Sequence, residues 1–457
     1  MPWAVPVWRR SQAGSRMGGS PLPRSRKKEE GAVSGGLGEA LGVALLAASL
    51  AVAVIRPRGL PEATGAVPAA LLVVVLGVLP LTDALDEVRA LAPTVGFLAA
   101  VLVLADLCER EGLFTAAGAR LVSASGGRPV PFLGQVFVLG SAVTAVLSLD
   151  ATVVLLTPVV MGAAVRSRLR PKPPVYACSH LANTASLLLP VSNLTNLLAF
   201  RASGLSFVRF AALMATPWVV ALAVEYAVFR RFFATDLRQP AAPAAAGGPE
   251  ADDTEPRLPV YPVVVLVLTL AGFGAASFVH LDPAVVAAIG VVALAVPAVR
   301  GRRATPGSLL SAAAVPFLAF VVGLAVVVRT VQDAGLSRLV PKLVPDATTL
   351  PALLLVTVVA AVLANLVNNL PAVLMLLPTV AAVGSPAVLA ALIGVNVGPN
   401  LTYVGSLATL LWKRLLRARR GGDPGGVPAA RRPDGAGCAG GGDPGSVGRR
   451  ESDRSVR

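Results

Sequence analysis

Charge is scarce in this sequence. Only 14% of its 457 residues are charged, against roughly a quarter in soluble globular proteins. That scarcity excludes an ordinary soluble domain. Histidine is scarcer, with two in the chain. No paired catalytic carboxylates, Ser–His constellation, metal cluster or phosphate loop can be assembled from the sequence, so neither enzyme chemistry nor a cofactor is expected. Three cysteines, Cys108, Cys178 and Cys438, lack any C-x-x-C partner. That excludes a disulfide framework and a zinc site, and leaves Cys108 and Cys178 as small apolar packers. Aromatics make up only 5%, and no basic stretch is interleaved with them. The net charge of +15 therefore points to no nucleic-acid partner. Its Lys and Arg residues sit at the ends of apolar runs, as the positive-inside rule demands, or in two tails.

Apolar side chains are abundant, at 55%. Runs such as 260–279, 283–299 and 311–328 approach the roughly 20 residues needed to cross a hydrocarbon core about 30 Å thick. The expected fold class is an all-α polytopic membrane protein of about 9–10 spans in the cell inner (plasma) membrane. Residues 1–36 are basic and rich in Gly, Ser and Pro, with no apolar signal core before Leu37. They read as a disordered arm or as the product of a misplaced start codon. Residues 417–457 read as a disordered tail, because Gly, Pro, Arg and Asp cannot bury enough surface to order themselves.

Between these ends one plan occurs twice, at 37–206 and 260–416, joined by an apolar segment at 207–233 and a Pro/Ala/Gly loop within 207–259. In each copy three apolar runs precede an amphipathic stretch, opening at Glu111-Gly112-Leu113 and at Ala334-Gly335-Leu336. A polar start then interrupts an apolar stretch, Ser148-Leu149-Asp150-Ala151-Thr152 in one copy and Asn368-Asn369-Leu370-Pro371 in the other. Further on, Asn193-Leu194-Thr195 matches Asn400-Leu401-Thr402. Interrupted hydrophobic segments at corresponding places mark secondary transporters built from repeats. The expectation is an inverted repeat with two re-entrant hairpins and two broken transmembrane helices. Placing the ends of the first hairpin in the cytoplasm puts Arg166, Arg168, Arg170, Lys172, Arg230, Arg231, Arg300, Arg302 and Arg303 inside, as the rule on cationic loops requires. It also makes the two hairpins face opposite ways, but leaves the basic arm outside.

Polar groups at membrane depth are tolerated where they line a cavity. They are Ser148, Asp150 and Thr152; Asn365, Asn368 and Asn369; Asn183, Thr184, Ser186, Ser192, Asn193, Thr195 and Asn196; and Asn396, Asn400, Thr402, Ser406 and Thr409. Pro190, Pro371, Gly398, Pro399 and Gly405 lie beside them. Breaks of this kind present half-helix amino termini to an anion and free carbonyls to a cation. The competing reading is hydrogen bonding between helices. Asp150 is costly in hydrocarbon, which makes it the candidate for proton coupling, unless it caps a helix. Asp106, Glu225 and Asp333 sit near segment ends, and His180 reads as structural.

The segment His180-Leu181-Ala182-Asn183-Thr184-Ala185-Ser186-Leu187-Leu188-Leu189-Pro190-Val191-Ser192-Asn193-Leu194-Thr195-Asn196 resembles the first broken helix of arsenite efflux permeases of the ArsB type. Val367-Asn368-Asn369-Leu370-Pro371-Ala372-Val373-Leu374 resembles their second hairpin, and Gly398-Pro399-Asn400-Leu401-Thr402-Tyr403-Val404-Gly405-Ser406-Leu407-Ala408-Thr409-Leu410-Leu411-Trp412 their second broken helix. The resemblance covers about residues 40–416 and extends to the wider ion transporter superfamily, which includes sodium-coupled carriers of carboxylates and sulfate. It implies export of arsenite or antimonite, driven by protons or by a soluble ATPase subunit, and a moving unit that contains both hairpins. It carries the site onto Asp150, Asn193, Asn196, Asn368, Asn369, Asn400 and Thr402. With the neighbouring Ser148, Thr152 and Thr195, these ten form the expected substrate- and ion-binding set. Relatives in this superfamily often form homodimers.

The sequence departs from the family pattern in three places. Leu149 stands where an Asn usually precedes Asp150, and Asn183 stands where an Asp is usual. The family also continues into another helix where this chain enters Arg417-Ala418-Arg419-Arg420, which reads as a truncation or a change of frame. Three functions compete: export of a neutral metalloid hydroxide, sodium-coupled uptake of an organic or inorganic anion, and a membrane enzyme or sensor.

Overall fold

A computed structural model describes residues 35–55, 60–238, 258–279, 281–332, 342–402 and 405–420. The arm before residue 35, most of the connecting loop, Asp333 with the amphipathic stretch from Ala334, and the tail beyond residue 420 lie outside the described residues. The described chain is helical, with no strand among those residues.

The first repeat opens with α1 (Gly35–Ile55), α2 (Ala63–Val75) and α3 (Leu81–Arg110). α3 runs through Asp83, Asp86, Glu87 and Arg89, which the apolar-run reading left outside a span, because these charges lie on an exposed turn of one continuous helix. The amphipathic α4 (Leu113–Ser125) follows, entered through Gly112 at φ 82° and left through Gly126 at φ 56°. The hairpin legs are α5 (Pro129–Val146) and α6 (Leu149–Arg166). α7 (Lys172–Thr184) ends in two short 3₁₀ turns, Ala185–Leu187 and Pro190–Ser192, before α8 (Leu194–Ser203). A connecting helix α9 (Phe207–Phe232), capped by Ser206, and a short α10 (Ala234–Arg238) close this half.

The second repeat begins with α11 (Val260–Val279) and α12 (Pro283–Arg300), the latter N-capped by Asp282 with Pro283 at its first turn, a combination suited to helix starts. The apolar run at 311–328 is divided between α13 (Pro306–Ala312) and α14 (Val315–Val331), because Ala314 sits at φ 51°. Then come α15 (Leu350–Val367), α16 (Asn369–Val383), α17 (Ser385–Val397), a 3₁₀ turn at Gly398–Leu401 and α18 (Leu407–Arg420). α18 carries the helix through Arg420, so residues 417–420 are helical rather than tail, as are 35–36 at the other end.

Among the described residues, seven helical segments are long and apolar enough to cross a membrane: α3, α5, α6, α9, α12, the α13–α14 pair and α15. Shorter apolar helices lie within α1, α2, α11 and the residues of α16 and α17. The hairpin legs have 18 and 18 residues in the first half and 18 and 15 in the second. At 1.5 Å per residue they are about 22–27 Å long, slightly short of an untilted crossing.

Packing repeats with the sequence. α2 packs on α14 and α3 on α12, which are equivalent pairs once the halves are exchanged. α5 packs on α7 and α15 on α17. α8 sits against α16 and α17 of the other half, while α18 sits against α6 and α7. Each broken helix is therefore clasped by the opposite repeat.

Candidate functional site

The two broken helices cross at their breaks. Residues that follow the first break meet the residue that precedes the second: Asn193 Nδ2 and Thr195 Oγ1 donate to Asn396 Oδ1 at 3.2 and 2.9 Å, and Asn396 Nδ2 donates to Asn196 Oδ1 at 2.6 Å. Residues that precede the first break meet those at and after the second: Asn183 Nδ2 donates to Asn400 Oδ1 at 2.9 Å and to Thr409 Oγ1 at 3.1 Å. Asn400 Nδ2 donates to Thr184 Oγ1 at 2.7 Å and to the His180 carbonyl at 3.3 Å. Pairing after-with-before in both directions is an antiparallel crossing, the relation an inverted repeat requires.

This crossing corrects the register of the repeat. Asn183 and Asn396 are each the penultimate residue of the helix before a break. The shift that carries one onto the other carries Asn193 onto Ser406, Thr195 onto Ala408 and Asn196 onto Thr409. The hydrogen bonds agree. Asn193 accepts from the Thr195 amide at 3.3 Å, and Ser406 accepts from the Ala408 amide at 3.2 Å. Asn396 donates to Asn196 as Asn183 donates to Thr409. Matching the Asn-Leu-Thr triplets instead aligned Asn193 with Asn400, which lies inside the second break.

The symmetry is incomplete at one atom. Asn396 Oδ1 accepts two hydrogen bonds, whereas Asn183 Oδ1 is buried and accepts none. Two side chains differ: Ala408, with no hydroxyl to donate, stands where the other half has Thr195, and Ser406, whose oxygen accepts from the Ala408 amide, stands where it has Asn193. A buried acceptor left unfilled costs about 1–3 kcal/mol, so a ligand donor is favoured there.

The hairpin tips border this crossing. In the first, Ser148 caps α6 by accepting from the Ala151 amide at 3.1 Å. The helix-capping role open to Asp150 is thus filled by Ser148. Thr152 is buried and shares a 2.7 Å hydrogen bond with Thr144. Pro158 has no N–H to give, and α6 widens into a π turn at Thr152–Leu156, where Thr157 Oγ1 donates to the Thr152 carbonyl at 3.0 Å. Such turns concentrate at functional sites. Asp150 is half-buried, and neither a hydrogen bond nor an ion pair engages its carboxylate among the described residues. In the second hairpin Asn368 bridges α15 and α16 at φ 78°, a conformation asparagine adopts more readily than most side chains. Its neighbour Asn369 donates its amide to the Gly405 carbonyl at 3.0 Å. Thr402 is exposed and donates to Asn365 Oδ1 at 2.7 Å.

Of the ten expected residues, Asn193, Thr195, Asn196 and Asn400 meet directly in the crossing. Asn369 and Thr402 border it through the second break, and Ser148 and Thr152 are bonded within the first hairpin. Asn183, Thr184, Asn396 and Thr409 belong to the crossing but were outside the expected set. Their signal was present, since each is a polar residue beside a helix break.

Residues 43–401 match the family model described as "CitMHS: Citrate transporter". The chain belongs to that family. It is 29% identical over 385 residues to an arsenical pump membrane protein of Yersinia enterocolitica, covering 80% of this chain and 89% of that one. It is 28% identical over 387 residues to the arsenical pump membrane protein of Escherichia coli strain K12, covering 82% and 90%. A putative arsenical pump membrane protein of Bacillus subtilis strain 168 is 26% identical over 398 residues. Among solved structures, the YdaH transporter of Alcanivorax borkumensis, described as having an unusual topology, shares the fold at a TM-score of 0.50 and 16% identity, over 84% of this chain and 92% of that one. The protein is thus a multi-pass secondary membrane transporter. A helical bundle belongs in the inner, plasma membrane, since spanning proteins of outer membranes are β-barrels.

Proposed function

We propose that this transporter exports a neutral metalloid hydroxide, arsenite or antimonite, bound at the crossing of the broken helices. The unfilled Asn183 Oδ1 carries the reading. Undissociated arsenite presents hydroxyl groups that donate and accept, and it needs no countercharge. Every hydrogen bond described at the crossing joins amides, hydroxyls and main-chain groups, a lining that suits a neutral solute. Asp150, unengaged at the tip of the first hairpin, is placed to carry a coupling proton. Energy comes from that proton or from a soluble ATPase subunit, and the protein works as a homodimer.

The second reading is sodium-coupled uptake of a carboxylate or inorganic anion. The family description favours it, as do the capped amino termini of α6 at the first hairpin tip and α8 at the first break, because helix amino termini attract anions.

The test is cellular arsenic after an arsenite challenge in a bacterium lacking its own exporters. The parent is expected to lower accumulation, and Asp150→Asn to resemble empty vector. Equal accumulation with parent and vector, despite verified insertion, would sink arsenite export. Sodium-dependent citrate uptake by vesicles of the same cells would then carry the second reading.

A further inference from the structure

The connecting helix α9 turns one face inward. Phe207, Phe210, Met214, Trp218, Leu222, Glu225 and Phe229 recur at helical spacing. Most of the rest of α9 is exposed, as a lipid-facing helix would be. Glu225 is the only charged residue on that inward face. It lies seven residues, about 10 Å, from the helix end at Phe232, inside the segment rather than near its end, where the sequence reading placed it. Neither of its carboxylate oxygens touches solvent, and neither accepts a hydrogen bond. Among the described residues its ion-pair partner is His180, whose Nδ1 stands 3.2 Å from Glu225 Oε1. His180 belongs to α7, packs edge-on against Phe229 at 5.1 Å, and gives its own carbonyl to Asn400 within the crossing.

α6 and α18, which also pack on α7, bring Asp150 and Lys413, and the other titratable groups on α7, α9, α10 and α11 are engaged elsewhere, buried or exposed. Lys172 lies over Phe233, Arg230 over Tyr226, and Asp236 pairs with Arg170. Tyr176 rests on Trp412, Tyr226 on Phe137, and Tyr261 donates to the Ala293 carbonyl. Cys178 is buried, and Arg209, Arg231 and Arg238 are exposed. α5, which also packs on α9, brings an uncharged Gln135.

We infer that His180 and Glu225 form a proton-binding site that controls the crossing, separate from Asp150. The inference rests on the transporter reading of the crossing. The pair is neutral overall when it holds one proton, as imidazolium beside carboxylate. Losing that proton leaves a bare carboxylate whose oxygens touch no solvent, a costly change; gaining a second leaves a positive charge on His180, whose side chain is a third exposed. Each alters the hold of α9 on α7, and through the His180 carbonyl it alters the grip on Asn400. One proton entering or leaving thus loosens the clasp of the first broken helix.

Trp218 supplies the measurement, because its indole N–H on α9 donates to the Ala185 carbonyl at the break, 2.9 Å away. Purified protein is titrated between roughly pH 5 and 8, the range of histidine, and the emission lost on Trp218→Phe is followed beside transport. The parent is expected to show one transition, with transport changing about tenfold across it, the effect of one proton over one pH unit. Glu225→Gln and His180→Gln should each abolish the transition, and Asp150→Asn should keep it. A flat parent, or a transition retained in either Gln variant, overturns the site. If both Gln variants fail to fold, Glu225→Asp decides: a shifted midpoint supports the site, and an unshifted one overturns it. A protein that titrates but moves neither arsenite nor citrate loses the transport reading and keeps the proton site. One whose transport keeps its pH dependence in Glu225→Gln loses the proton site and keeps the transport reading.

Discussion

The two halves use the same clasp and finish it differently. Each penultimate asparagine reaches across to the broken helix of the other half, Asn396 to Asn196 and Asn183 to Thr409. Around Asn396 every side-chain oxygen and nitrogen is engaged; around Asn183 one oxygen is not. The hairpins diverge in the same way. The first carries hydroxyls and a carboxylate, the second carries amides. Symmetry thus builds the frame, and its local failure provides an open hydrogen-bonding position. A fully satisfied crossing would be a structural joint, with nothing left to offer a solute.

The halves also approach closely by different means. In the first, Gly140 on the hairpin leg faces Leu181 of α7; in the second, Gly394 of α17 faces the leg α15. A Cβ on Gly140 would lie 2.9 Å from Leu181 Cδ1, the movable end of a flexible chain. A Cβ on Gly394 would overlap the Thr357 carbonyl oxygen and lie 2.7 Å from Ala360 Cβ, both fixed by the helix. Gly394→Ala is expected to cost about 3 kcal/mol, at the upper end for overpacking, and to lower the melting temperature in detergent sharply. Gly140→Ala should fall near zero, since about 1 kcal/mol of crowding is offset by the better helix propensity of alanine. Equal losses in the two proteins would mean that the halves tolerate crowding alike.

Next in size is Asn396→Ala. It strands Asn193 Nδ2, Thr195 Oγ1 and Asn196 Oδ1 in a buried site. At about 1 kcal/mol or somewhat less per bond in a membrane, the cost is about 2–3 kcal/mol, with transport lost. Asn183→Ala strands only Asn400 Oδ1 and Thr409 Oγ1 and should cost about 1–2 kcal/mol. Thermal denaturation of both variants beside the parent ranks them, and the reverse order would break the distinction between a closed and an open clasp.

Much of this was legible in the sequence because its signals are local. Breakers beside amides marked both helix breaks, and the polar starts at Ser148 and Asn368 marked both hairpin tips. The partners were not legible, because Asn183 and Thr409 are joined only by the fold, across more than two hundred residues. The register failed for a physical reason. Asn-Leu-Thr is a conspicuous triplet, yet the halves are aligned by helix ends and caps, which place Ser406 rather than Asn400 opposite Asn193. Glu225 was misjudged because an apolar run does not reveal which face of its helix turns inward. The spacing from Phe207 to Phe229 holds that information once a helix is assumed.

The smallest expected effect separates the two clasps most cleanly. Thr195 fills Asn396 Oδ1, and its counterpart Ala408 leaves Asn183 Oδ1 open. Ala408→Ser places a hydroxyl where the other half has one, in the smallest side chain able to donate. If the open oxygen is only a defect, closing it should add about 1 kcal/mol of stability and leave transport unchanged. If it receives a solute hydroxyl, the same stabilisation should come with slower transport and weaker binding, because the serine now occupies the position. Thr195→Ala is the converse: it opens the closed clasp, loses about 1 kcal/mol, and gives the solute a second, misplaced acceptor. Melting temperature and arsenite efflux measured on both variants decide whether the asymmetry is the binding device, since only a binding role makes the more stable protein the poorer transporter.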